Sequence, residues 1–250
     1  MPSIAEILAA AEKAVAELMA KAYRVWLSAA RTAVLAPFAR FGLPPDPAGI
    51  WGTVPLWESQ IRGLMSHVAQ VARSGWIDAG RQLDVDLPFD VASPVLADQL
   101  QRTRNLMVRT PDEVYRMIVA ELGRAYAAGE GPQQQAARVE RILDFAGVEN
   151  WESRARTVAV TESHRAWNFG ALAAALQAQD GSSLPLVKRW DSRDDTRTRD
   201  AHERADGQTV PVSQPFIVDL EALMAPSDPS GSPHNVINCR CKPLFTRRPQ

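Results

Sequence analysis

The only two cysteines of the chain stand one residue apart near its end, in "HNVINCRCKPLF", residues 234–245. Two cysteines make no disulfide scaffold. A disulfide across Cys-x-Cys would close a very tight, strained loop. Three chemistries remain: two packed thiols, a pair of metal ligands, or a redox pair. On a strand, residues i and i+2 point to the same face. Cys239 and Cys241 can therefore meet one ion, with His202 as the natural third ligand and His234, Asp206 or Asp195 as a fourth. Zinc accepts such a set, although the spacing is not the usual C-x2-C. Against it stands a plainer reading, because free cysteine packs like a small hydrophobe. No cofactor is expected apart from this candidate zinc.

A second constellation is acidic. Asp191, Asp195, His202 and Glu162 could surround a metal ion and activate water, as in an enzyme acting on nucleic acid. Nothing in their spacing demands this. Between Lys188 and Arg204 lie six basic and five acidic residues, which a solvated loop explains, since exposed ion pairs contribute little. The sharper reading is structural. Arg199 can fork onto a carboxylate or loop carbonyls, and Asp195 can accept backbone N–H groups in a turn. Glu162 and Arg165, three apart on a helix, share a face and can pair, while His164 reads as a surface or packed histidine. Trp151, Trp167 and Trp190 read as core, because base-stacking platforms accompany a basic groove. Any DNA contact would rest on Arg193, Arg197, Arg247 and Arg248. The first 150 residues hold a single histidine, His67, and no nucleophile elbow, so no catalytic constellation is complete.

These residues need elements to position them. Ser3 and Glu6 form a capping-box pattern. Ile4, Ile7, Leu8, Ala11, Val15, Leu18, Met19 and Ala22 then recur at helical spacing, predicting a helix to about Arg40, where "FGLPPDP" breaks it. A second helix is expected over about Val54 to Gly80. Ser93-Pro94 predicts an N-cap and first helical residue. "TPDE" at 110–113 predicts the same with Glu113 closing the box. Pro132 should open a short helix, and Asn150 should cap a long one reaching about Ala178. Gly170 inside it marks a close approach or a slight break. Beyond Gly181 the periodicity changes, and "LPLVKRWDS", "QTVPVSQPFIV" and "INCRCKPLF" read as short extended segments. The fold class expected is α+β and mainly helical: a helical region over 1–147, then a small α+β domain over 148–250 with a long helix and short antiparallel strands.

In order, the C-terminal part shows Thr161, Glu162, Arg165, Ala166 and Asn168 on the helix. Trp190, Asp195, Thr198, Arg199 and His202 follow as W…D-x-x-T-R-x-x-H. After them come Asp206, Gly207, Gln208 and Phe216, then Pro226, Asp228 and Pro229, and last Asn238, Cys239, Arg240 and Cys241. Over about residues 150–245 this arrangement resembles the phage Mu protein F-like minor head proteins of tailed bacteriophages. The resemblance implies a structural, non-enzymatic virion component at the portal vertex, aiding head assembly or genome delivery. Its implied partners are the portal and head proteins, with DNA inside the head a further candidate. Residues 1–147 would then serve assembly and portal docking. A transient assembly adaptor and the metal-dependent enzyme are the alternatives.

Composition fits. A formal charge of −1 announces no nucleic-acid or membrane partner. The first nineteen residues carry Glu6, Glu12 and Glu17 through an apolar stretch, which makes a poor signal peptide. The expected location is the virion head, assembled in a reducing host cytoplasm.

Overall fold

Ser3 and Glu6 do close the first turn of α1 (Ile4–Phe41): the Glu6 carboxylate accepts the Ser3 N–H at 2.6 Å, and the Ser3 hydroxyl accepts the Glu6 N–H at 3.2 Å. In this computed structural model residues 3–144 and 150–247 are described, the side chain of Asn150 excepted. The expected boundary near residue 147, the Asn150 cap and Arg248 therefore lie outside the described residues.

α1 continues past Pro37 and is followed by a 3-10 turn (Pro47–Thr53), α2 (Val54–Leu83), α3 (Pro94–Met107), α4 (Thr110–Ala127) and α5 (Pro132–Leu143). The long α6 (Asn150–Asp180) leads into β1 (Leu186–Asp191), α7 (Asp200–Ala205), β2 (Thr209–Pro211), β3 (Phe216–Val218), β4 (Glu221–Leu223), α8 (Pro233–Val236) and β5 (Lys242–Arg247). The expected class, mainly helical α+β with short antiparallel strands, is the one observed. β1 is the centre of an antiparallel sheet ordered β2-β1-β5, and β3 pairs with β4.

Two caps differ from expectation. The Ser93 hydroxyl is buried without a hydrogen-bond partner among the described residues. Thr110 donates to the Met107 carbonyl instead of capping α4, and the residue at the cap position, Arg109, is itself in helical conformation. α3 and α4 follow one another so closely that the connection stays helical, leaving no extended residue from which a side chain could reach forward.

The chain forms two compact units that interleave along the sequence. One comprises Met1–Val15, Met65–Thr103 and Arg156–Gln250, and the other Ala16–Leu64 and Arg104–Ala155. The divisions fall inside α1, α2, α3 and α6, because long helices contribute residues to both.

The second unit is built on aromatic packing. Tyr23 stacks on Trp57 at 5.4 Å and meets Trp151 at 4.9 Å, and Trp26 lies 5.3 Å from Trp57. The indole N–H groups of Trp26 and Trp57 donate to Thr53 and to the Met107 carbonyl, so these buried rings keep no orphan donor.

The first unit has its own core, with Trp76, Leu96, Trp167, Leu172, Leu186 and Phe245 among its buried members. Here α2 crosses α6 at backbone contact. A Cβ on Gly170 would stand 2.0 Å from the Ala72 carbonyl oxygen, and one on Gly75 would stand 2.1 Å from that of Trp167. Of the two readings of Gly170, close approach is the one realised. A smaller cluster of Trp190, Ala201, Phe216, Val218, Leu223, Cys239 and Cys241 lies within the same unit.

Candidate functional site: the motif network and a candidate metal centre

α6 supplies the first layer of the site. Residues Thr161, Glu162, Arg165 and Asn168 are all buried on it. Glu162 and Arg165 pair at 2.5 Å, with side chains only 8% and 4% exposed. The other Glu162 oxygen accepts the Thr103 hydroxyl at 2.8 Å, and Arg165 Nε donates to the Ser227 carbonyl at 2.9 Å. Asn168 Nδ2 donates to the carbonyls of Pro226 and Cys241, at 2.9 and 3.0 Å. Thr161 accepts the Asn238 N–H at 3.0 Å. His164 is buried one turn away and contacts Glu12 at 2.9 Å. One helix face thus satisfies backbone groups of two irregular segments that have no strand to pair with.

The second layer is the segment after β1. Asp195 accepts the Arg197 N–H through one oxygen, and its own N–H donates to Thr198. Both of its carboxylate oxygens receive Arg240, each at 2.6 Å. This planar fork is the strong form of an arginine–carboxylate pair. It holds the Asp195 carboxyl well below the usual carboxylate range, the Arg240 hydrogen bonds being the main cause. Arg199 donates to the Ile237 carbonyl. Asp228 accepts the N–H groups of Met224 and Ser230, which fixes the turn after β4. Asn238 sits at φ 57°, a left-handed conformation that asparagine tolerates.

The third layer is the thiol pair. β5 starts only at Lys242, so Cys239 and Cys241 lie in the irregular segment before it and not on the strand expected for them. The bonds from Thr161, Ser227 and Asn168 to this segment replace the missing ladder. Both sulfurs nevertheless face His202, which α7 carries and which was expected in a loop. Cys241 Sγ is 3.4 Å and Cys239 Sγ 3.7 Å from His202 Nδ1. All three residues are buried. Trp190 lies edge-to-face against His202 at 5.5 Å and against Phe216 at 5.3 Å. The thiols titrate as a pair: the neighbouring Cys241, with help from His202, pushes Cys239 down, and Cys239 pushes Cys241 up.

Residues 116–244, just over half of the chain, match the Phage Mu protein F like protein family. The chain belongs to that family. The match begins upstream of the residue-150 limit expected from motifs alone. Among curated proteins, the minor head protein GP7 of Bacillus phage SPP1 is 28% identical over 185 residues, covering 72% of this chain. The chain spans 58% of that relative's length. No solved structure matches.

Within this member of the family, the residues singled out in sequence do not all converge. His202, Cys239 and Cys241 come together, and among the described residues they are the one group of three or more His, Cys, Asp or Glu side chains whose ligating atoms lie within 4.8 Å of one another. The three candidates for a fourth ligand are not part of that group: Asp195 is held by Arg240, Asp206 accepts the Ser192 N–H, and His234 is exposed. Nor does the hydrolytic set assemble. Glu162 is engaged by Arg165 and Thr103, Asp195 by Arg240, and Asp191 lies nearest Lys242 at 3.4 Å. Trp151, Trp167 and Trp190 are all buried. Arg193 is half exposed beside Asp195 at 3.8 Å, and Arg247 donates to the Leu83 carbonyl.

Thr103, Ser227 and Lys188 were missed as participants. Lys188 is fully buried, with Nζ donating to the Met224 carbonyl at 2.6 Å and lying 5.0 Å from the centre of the Phe216 ring. The period-two alternation of β1 carries the signal, because it puts Lys188 on the face of Leu186 and Trp190. Burial lowers its pKa from 10.5 to about 7, against the opposing charge of Asp228. The unfolded chain holds this proton up to the higher value and the folded chain releases it at the lower one. The lysine contribution to stability therefore rises with pH across that window. Lys188→Met should flatten the rise, read as the difference in urea midpoint between variant and parent from about pH 7 to about pH 10. Identical pH profiles would show that the amine is solvated.

Proposed function

We propose that this chain is a minor head protein of a tailed phage or prophage-derived particle, a structural component of the head rather than an enzyme. Family membership over residues 116–244 is the observation that carries this reading. A relative named as a minor head protein, aligned along 185 residues, supports it. The motif geometry agrees, since Glu162, Arg165, Asn168, Asp195, Arg199, Asp228 and Arg240 are engaged in internal ties.

Its place is at the portal vertex, where it aids head assembly or genome delivery. The docking surface lies on the unit comprising Ala16–Leu64 and Arg104–Ala155. Large apolar side chains stay exposed there, among them Phe41 at 74% and Tyr126 at 82%, with Leu43, Met117 and Val119. Exposed apolar groups that gather into a contiguous patch favour burial against a partner. No helix among the described residues is long and apolar enough to cross a membrane.

The test is co-sedimentation of the chain with the portal ring of the same genome. Substoichiometric attachment that survives high salt is the expected result, because an apolar contact is not screened. A chain that stays in the supernatant at every salt concentration overturns the portal assignment. Attachment that disappears as salt rises would overturn the apolar docking surface and favour charge-based contact.

A further inference from the structure

We propose that His202, Cys239 and Cys241 bind one zinc ion through His202 Nδ1 and the two sulfurs, tying α7 to the segment before β5. The inference does not depend on the assembly role, since it concerns the free chain.

The distances carry it. With Zn–S near 2.3 Å and Zn–N near 2.05 Å, tetrahedral angles place sulfur and nitrogen ~3.5 Å apart. The two observed S···N separations are 3.4 and 3.7 Å. Hydrogen bonding alone accounts for this arrangement less well. A neutral imidazole nitrogen offers either one lone pair or one N–H, yet here two sulfurs converge on the same atom. The remaining nitrogen, Nε2, is buried and has no hydrogen-bond partner among the described residues. Nδ1 is therefore the ligand, and Nε2 retains the proton.

Charge points the same way. Each of the three residues is 1–2% exposed. A buried thiolate without a counter-charge is costly. Two thiolates with one divalent cation sum to zero, and binding releases the two thiol protons to solvent. Sulfur and imidazole ligands suit zinc over the hard cations, which prefer oxygen. Among the described residues no fourth His, Cys, Asp or Glu joins the group, so the remaining position of a four-coordinate zinc would be filled from outside it.

The experiment uses the full chain purified without chelator under reducing conditions. Elemental analysis should find about one zinc per chain. Cobalt added to the demetallated chain should give a thiolate-to-metal charge-transfer band with tetrahedral d–d absorption. Chelation should lower the melting temperature, and zinc should restore it. Cys239→Ser, Cys241→Ser and His202→Ala should each lose most of the metal. If those variants fail to fold, as judged by circular dichroism, the cobalt spectrum of the parent chain decides. A parent chain that takes up neither zinc nor cobalt overturns the proposal and leaves a thiol–imidazole contact. Full metal retention in the Cys239→Ser/Cys241→Ser double variant overturns it equally.

Discussion

Glu162→Ala should lower the unfolding free energy by about 3–5 kcal/mol, as expected when one partner of a buried ion pair is removed. The loss falls on what remains. Arg165 keeps its positive charge at 4% exposure, with the Ser227 carbonyl as its one remaining partner among the described residues. Thr103 loses its acceptor, although Gln99 still donates to it at 3.0 Å. The pair itself is no source of net stability, because two charges had to leave water to form it. The double variant Glu162→Leu/Arg165→Met should therefore recover much of the loss. Its segment around Ser227 would be less well ordered, since that carbonyl has lost its donor. Chemical denaturation of the parent, the single and the double variant tests this. A change below about 1 kcal/mol in the single variant would mean that the pair is hydrated in solution.

Gly170→Ala should also destabilise, against the rule for helices. Intrinsic propensity alone predicts a gain of about 1 kcal/mol, because glycine is a poor helix former. The added methyl, however, would meet the Ala72 carbonyl oxygen at 2.0 Å. That obstacle is backbone, and it cannot rotate aside. α2 and α6 must separate, and overpacking of this kind typically costs 1–3 kcal/mol or more. Steric cost outweighs propensity, so a net loss of about 1–2 kcal/mol is expected. Gly75→Ala meets the Trp167 carbonyl oxygen at 2.1 Å and should behave alike. The two together should lose less than the sum, since one separation of the helices relieves both clashes. A Gly170→Ala chain as stable as its parent would disprove the close crossing.

The sequence alone was enough for the local features of this fold. The Ser3–Glu6 box, the break after Phe41, the proline starts at Pro94 and Pro132 and the period of α6 are set by residues within a few positions of one another. Glu162 and Arg165 belong to the same class, because three residues along a helix fix a shared face. The order of motif residues was also enough to identify the family, since family order is a property of sequence.

Tertiary structure decided the rest. Arg240 reaches Asp195 across forty-five positions, and Asn168 reaches the Cys241 carbonyl across seventy-three. No periodicity records such a partner. The thiols were expected on a strand and lie before one, because Asn168, Thr161 and Ser227 satisfy that backbone in place of a ladder. Gly170 announced either a break or an approach, and only the position of Ala72 chose between them. The interleaved units follow from the same cause. Helical periodicity states which face of α1 or α2 is apolar, but which element covers it is settled by packing among segments far apart in the chain.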